Sequence, residues 1–185
     1  MQVIEEGALA FDFAVGSVRV LKYDDTVFYR NRLQKVCPHR RGVDILCLDG
    51  DKTLWLIEVK DYRSDTVEKD RSRLADVIVD KVLDTLAGLR CAQFADTTEK
   101  DFASAAAKAE RLQVVAHIEG RGRMRDDSKH LRRSQTELAF AADLKVRLHQ
   151  KLIKLGMTSA VAGLKYPKQG CPWTVRSLSF SETID

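Results

Sequence analysis

The sequence predicts an α/β (α+β) fold, a mixed central β-sheet flanked by helices. Three observations predict it. Two apolar runs, VDILCL (43–48) and TLWLIEVK (53–60), flank Asp49-Gly50-Asp51-Lys52, a strong hairpin turn signal. Apolar residues then recur at helical spacing between about 67 and 94. A β-branched run, LQVVAHI (112–118), follows and suits a buried strand. A hairpin followed by a helix and a further strand sets a parallel crossover beside an antiparallel pair, which makes the sheet mixed.

Taken in order, ALAFDFAV (8–15) and SVRVLKY (17–23) read as strands around Gly16, a hairpin. Residues 24–41 are polar, aromatic and basic and end in a Cys-Pro turn signal, consistent with a short helix or a loop. In the long helix, Ser64, Asp65 and Thr66 are competent N-caps, and Leu74, Val77, Ile78, Val82, Leu86 and Leu89 form the apolar stripe. The alanine-rich 100–109 suits a short helix. Ser134-Gln135-Thr136-Glu137 fits a capping box, opening a helix that Gly156 closes. WTVRSLSF (173–180) alternates as a last strand at a sheet edge.

At 185 residues the chain is long enough for one domain with a real core, and nothing in it resembles a linker or a repeat. Its hydrophobic content of 44% and charged content of 31% are those of a globular protein. The formal charge of +4 resides in one place: residues 121–133 hold six Lys or Arg against two Asp, and the remainder balances. A local basic patch points to a polyanion. The four cysteines are scattered, which suits reduced thiols in a cytoplasmic protein. Cys37, His39 and Cys171 lack the second closely spaced pair that a structural zinc usually needs. The N-terminus has no signal-peptide pattern and no apolar stretch is long enough to span a membrane, so the expectation is a cytoplasmic protein without membrane contact.

The informative residues are three charges inside the two apolar strands. Alternation puts Leu56, Glu58 and Lys60 on one face and Trp55, Ile57 and Val59 on the other. The loop decides where Asp44 falls. A three-residue connection, Gly50 to Lys52, pairs Asp49 with Thr53 and sets Asp44 opposite Glu58. A two-residue loop pairs Asp44 with Ile57 and sends the carboxylates to opposite faces. The first arrangement is the one expected. Two carboxylates across from one another repel, and a divalent cation compensates most simply. Mg²⁺ (or Mn²⁺) suits carboxylates and water, leaves positions for a phosphate oxygen, and promotes phosphodiester hydrolysis, with Lys60 serving the attacking water or the developing charge.

Asp44, thirteen intervening residues and then Glu58-Val59-Lys60, followed by a helix and a strand, resemble the PD-(D/E)xK nuclease superfamily over about residues 40–120. Val43 stands where the family's name has proline, and Glu5 or Glu6 are the residues available for the acidic group the family often carries near its start. The resemblance implies a restriction-endonuclease-like core within a single nuclease-like domain, 1–185. It also implies metal ligation by Asp44, Glu58 and the Val59 carbonyl, and catalysis by Asp44, Glu58 and Lys60. The expected partner is nucleic acid, specifically DNA, gripped by Arg63, Arg121, Arg123, Arg125, Lys129, Arg132 and Arg133. A homodimer is compatible with this. The alternative is a catalytically inactive nuclease-fold module that binds nucleic acid or a protein partner. Tyr62 is read as structural, and His117, inside an apolar strand, as a core or subsurface residue. There is neither a GxSxG elbow nor a GxxxxGK[ST] loop.

Overall fold

The computed structural model describes residues 1–50, 52–63, 71–120 and 127–178, without the side chains of 127–135. Its strands are β1 (Gln2–Glu6), β2 (Leu9–Phe13), β3 (Val18–Lys22), β4 (Ile45–Asp49), β5 (Thr53–Asp61), β6 (Arg111–Glu119), β7 (Thr158–Ala162) and β8 (Trp173–Ser177). The helices are the short α1 (Gln34–Val36), α2 (Leu74–Ala92), α3 (Lys100–Ala106) and α4 (Asp127–Leu152). The five-stranded sheet runs β3-β4-β5-β6-β7, antiparallel from β3 to β5 and parallel from β5 to β7. Helices α2 and α3 cross from β5 to β6, and α4 crosses from β6 to β7, as parallel neighbours require. No helix among the described residues is long and apolar enough to cross a membrane.

The expected hairpin of residues 8–15 and 17–23 does not form. The two segments are strands, but they part at Gly16, whose φ of +88° is in the left-handed region. Strand β2 joins a separate antiparallel sheet, β1-β2-β8, whereas β3 pairs with β4. Strands β1 and β7 escape the sequence reading: β1 is a polar edge strand, and β7 is a short run of small residues. Strand β8 does lie at an edge, but of the smaller sheet. Helix α4 begins at Asp127, so Ser134 is not its cap, while Gly156 does follow its end in a left-handed conformation.

Two apolar clusters use opposite faces of the larger sheet. Leu46, Leu54, Leu56, Val114, Ala116 and Ile118 pack against α2, α3 and α4. Ile45, Cys47, Trp55, Ile57, Val59 and Val115 pack against Leu9, Phe11, Phe13 and Trp173 of the smaller sheet. A fully buried Leu, Ile or Phe contributes roughly 1.5–3 kcal/mol, so this three-layer arrangement draws on both faces of β4 and β5. The double burial explains why both strands read as nearly continuous apolar runs. Phe11 meets His117 edge-on, and Trp55 meets Trp173 at 89°.

Residues 24–41 contain both helix and loop. A 3₁₀ turn at Tyr23–Asp25 precedes a π-helical turn at Tyr29–Leu33 that runs into α1. Thr26 caps the segment locally, its hydroxyl accepting the Tyr29 N–H at 3.3 Å. The buried Glu99 carboxylate, from the turn before α3, accepts the Val27 and Phe28 N–H groups at 2.8 and 3.4 Å. Burial raises the Glu99 pKa, but hydrogen bonds from the Val27 N–H, its own N–H and the Thr97 and Thr98 side chains outweigh it and hold the carboxyl below its ordinary value. The Tyr23 ring, 2% exposed, wedges between Gly42 and Gly88, where an added Cβ would meet it at 2.4 and 2.2 Å. Its hydroxyl is buried without a hydrogen-bond partner among the described residues, and burial pushes its pKa up strongly.

Gly88→Ala is expected to destabilise the fold by about 1–3 kcal/mol in urea unfolding, because its methyl overlaps the Tyr23 hydroxyl. Tyr23→Phe removes the overlapping atom and leaves the next ring carbon at 3.5 Å, so the double variant should recover most of the loss. Additive losses in the two variants would contradict the wedge.

Arg63 joins the two sheets. Its guanidinium donates to both Asp61 carboxylate oxygens at 2.8 and 2.6 Å, to Ser177 Oγ at 2.8 Å and to the Ala8 carbonyl at 3.1 Å. Burial raises the Asp61 pKa, but the Arg63 bonds outweigh it and hold the carboxyl below its ordinary 3.8. A depressed carboxyl contributes stability above its unfolded pKa and loses that contribution as pH falls through the folded value. Arg63→Ala should therefore cost about 1 kcal/mol at pH 7. The share due to Asp61 should fade below pH about 4. A pH-independent loss in denaturant unfolding would assign the effect to Ser177 and Ala8 alone.

Candidate functional site

The β4–β5 register is the one set by the longer loop. Ile45 pairs with Ile57 and Leu48 with Leu54, and continuing the ladder sets Asp44 opposite Glu58. The turn is built by Asp49. Its carbonyl accepts the Lys52 N–H at 3.1 Å, and its carboxylate accepts the Thr53 N–H at 3.0 Å and Trp55 Nε1–H at 2.7 Å. Lys52 adopts φ +58°, the left-handed residue that a three-residue hairpin needs before its second strand resumes.

Glu58, Asp44 and Lys60 therefore meet on the helix side of the sheet, where a fourth group joins them. Lys60 Nζ lies 2.6 Å from Glu58 Oε1. Lys81 Nζ, from α2, lies 2.7 and 2.8 Å from the two Glu58 oxygens and 3.4 Å from Asp44 Oδ1. The other Asp44 oxygen, Oδ2, accepts the Val59 N–H at 2.6 Å. Glu58 is 0% exposed and Asp44 8%, whereas the Lys60 side chain is 29% exposed.

The sequence reading missed Lys81, although a signal existed. Lys81 lies three residues after the buried Ile78 and four before the buried Thr85, so a charge stands within the inward stripe of α2. Thr85 fixes its position relative to Asp44. The Thr85 hydroxyl accepts the Val43 N–H at 2.9 Å and donates to the Lys81 carbonyl at 2.7 Å. One fully buried side chain thereby ties the residue before Asp44 to the helical turn that carries Lys81.

The charges shape one another. Burial raises the Glu58 pKa and the neighbouring Asp44 raises it further, against the opposing pull of Lys60 and Lys81. Burial lowers the Lys60 pKa, but the charge and hydrogen bond of Glu58, with Asp44 and Glu6, outweigh it and hold Lys60 above its ordinary value. Lys60 is therefore an ammonium at neutral pH. Glu6, one of the acidic residues considered from sequence, forms an ion pair with Lys22 at 3.1 Å. The Asp24 carboxyl is raised by burial and by Glu6, Asp25 and Asp44, which extends the acidic character of this end of the sheet.

The remaining site residues are less concentrated. The Val59 amide donates to Asp44 Oδ2, and its side chain packs toward the smaller sheet. Arg63 is engaged by Asp61, Ser177 and Ala8. Arg121, Arg123 and Arg125 lie outside the described residues, as do the side chains of Lys129, Arg132 and Arg133 at the start of α4. Tyr62 is buried, with the Arg71 guanidinium 4.0 Å from its ring centre. His117 is buried on the smaller-sheet side, 2.9 Å from Glu119 Oε1. Cys37 and His39 line an open groove of about 800 Å³ with Arg40, Arg41 and Lys81, whereas Cys171 packs on the opposite face of the sheet.

Among the described residues no three His, Cys, Asp or Glu side chains gather closely enough to hold a metal ion. That excludes a zinc-type set of four protein donors from these residues. The donors present are two carboxylates, Asp44 and Glu58, a set of the kind that a hard cation can share with water or phosphate oxygens. The Lys81 ammonium seated against both carboxylates demonstrates that these oxygens converge on one cationic centre.

No protein-family model matches the chain, and no solved structure matches it. An alignment of 87 positions that covers 42% of the chain is 39% identical to part of a cysteine--tRNA ligase of Neisseria meningitidis serogroup A. The match spans 12% of that protein's length.

Thr85→Val should destabilise the protein by about 1–3 kcal/mol, because it strands the buried Val43 N–H, while Thr85→Ser retains the hydroxyl and most of the stability. Denaturant unfolding of the pair checks this. Equal losses would assign the effect to packing.

Proposed function

We propose that this chain is a Mg²⁺-dependent nuclease of the PD-(D/E)xK type that hydrolyses DNA phosphodiester bonds. The observation that carries the reading is the hairpin register that brings Asp44 and Glu58 to a shared cation, with Lys60 beside them. The surrounding order supports it: an antiparallel β3-β4-β5 meander, a helical crossover and a parallel β6 match the succession of elements in that superfamily.

Asp44 and Glu58 would hold the metal, which when bound polarises a phosphate oxygen and lowers the pKa of a ligated water. Lys60 is more exposed than the carboxylates and fully charged. Its role is to orient the attacking water and offset charge developing on the phosphate, rather than to remove a proton. The groove lined by Arg40, Arg41 and Lys81 gives a strand a route to this end of the sheet. The basic segment 121–133 supplies further phosphate contacts, which makes binding salt-sensitive.

The alternative, a nuclease-fold module that binds nucleic acid or a protein without cutting, draws support from one observation. Each carboxylate is already matched by a lysine of the chain, so the cluster is charge-balanced by itself. The cysteine--tRNA ligase similarity adds RNA to the substrates to be compared.

The test is cleavage of single-stranded, double-stranded and branched DNA, and of RNA, with Mg²⁺ or chelator. Asp44→Asn and Lys60→Ala should each reduce metal-dependent cleavage of DNA by about 100-fold or more while leaving the circular dichroism spectrum unchanged. Equal cleavage by wild type and both variants removes the catalytic assignment. Salt-sensitive binding without cleavage selects the alternative.

A further inference from the structure

We propose that Lys81 is a built-in competitor for the divalent cation, so that metal binding at Asp44 and Glu58 requires its ammonium to leave the carboxylates. The inference rests on the nuclease reading for the identity of the metal site, but its geometry stands independently. Lys81 Nζ contacts both oxygens of Glu58 and one of Asp44, and those are the atoms a cation would use. Lys60, by contrast, contacts only Glu58 Oε1 and leaves the Asp44 side open.

Charge balance makes the two occupants mutually exclusive. Two carboxylates and two ammonium groups in direct contact cancel, and Glu58 has no solvent exposure through which a further charge is screened. Adding a divalent cation to that neutral set places two uncompensated charges in a low-dielectric setting. Withdrawing Lys81 leaves one net negative charge, and the metal then leaves one net positive charge, which a single phosphodiester neutralises. Lys81 also lines the groove with Arg40 and Arg41, so its side chain has a polar, open destination on the path of the substrate. The chain thereby ties metal occupancy to the arrival of a phosphate, with Lys81 as the element that trades places.

The experiment is Mn²⁺ titration of the full chain by isothermal calorimetry, with wild type, Lys81→Met, Lys81→Arg and Asp44→Asn/Lys81→Met. Removing one contacting charge should tighten Mn²⁺ binding in Lys81→Met by about tenfold or more. Lys81→Arg, which keeps the charge, should show no tightening, and the double variant should lose the gain. Mn²⁺ binding to Lys81→Met that is no tighter than to wild type, or a gain that survives Asp44→Asn, overturns the proposal. If Lys81→Met unfolds without metal, Mn²⁺ should refold it, as followed by circular dichroism; a variant that stays unfolded in millimolar Mn²⁺ also overturns it. The cleavage assay separates this from the nuclease reading. Wild-type cleavage without tighter binding in Lys81→Met retires only the competition, and tighter binding without cleavage retires only the nuclease reading.

Discussion

The burial of the Glu58 carboxylate is the constraint around which the rest of this structure is arranged. An isolated carboxylate at a fully buried position costs several kcal/mol even after relaxation, and it persists only with close partners. Glu58 has two, Lys60 from its own strand and Lys81 from the crossover helix. The first partner follows from strand alternation. The second requires α2 to lie across the sheet at one height and rotation, and Thr85, Gly88 and Tyr23 fix that placement. Thr85 bonds to the residue before Asp44, and the missing side chain at Gly88 lets the helix close on the Tyr23 ring.

The same requirement links the site to the order of the strands. Asp44 is not within β4 but immediately before it, where its backbone N–H still bonds to the Ile57 carbonyl and its own carbonyl accepts the Tyr23 N–H. The end of the sheet thus holds Asp44 by main-chain bonds on both sides, and its carboxylate is aimed by the Val59 amide. Three consecutive antiparallel strands contribute to the placement of one side chain. A site built this way on strand ends and a helix, rather than on loops, holds its side chains in a defined arrangement.

The opposite face of β5 and β6 carries structural polar groups instead. Asp61 engages Arg63, and His117 and Glu119 sit between the two sheets, where Glu119 also accepts the Leu164 N–H at 2.6 Å. Adjacent residues along one strand therefore serve different faces: Lys60 faces the helix side, and Asp61 helps close the seam with the smaller sheet. Arg63 follows the Glu58-Val59-Lys60 motif closely in sequence, yet its guanidinium is engaged at this seam, because the strand pleat turns its partner Asp61 to that face.

Much of this was legible in the residues. The doubly buried hairpin, the crossover helix, the strand after it, and the shared face of Glu58 and Lys60 all follow from period and turn chemistry, which act over a few residues. The three-residue turn at Gly50 to Lys52 was one of two readings that local chemistry allowed, and the left-handed Lys52 with the Asp49 caps decided between them. Other features depended on distant partners. The polar β1 and the short β7 have little strand character alone and exist because β2 and β6 offer them edges. The segments at 8–15 and 17–23 look like a hairpin locally, yet each finds a better-buried partner in a different sheet. Lys81 was visible as a charge in an apolar stripe, but a stripe does not say what it faces. By itself, then, the sequence determined which residues alternate, turn and repeat. Only the tertiary structure decided that a lysine 23 positions beyond Glu58 would meet its carboxylate, because a buried charge is matched by whichever opposite charge the packing brings within reach.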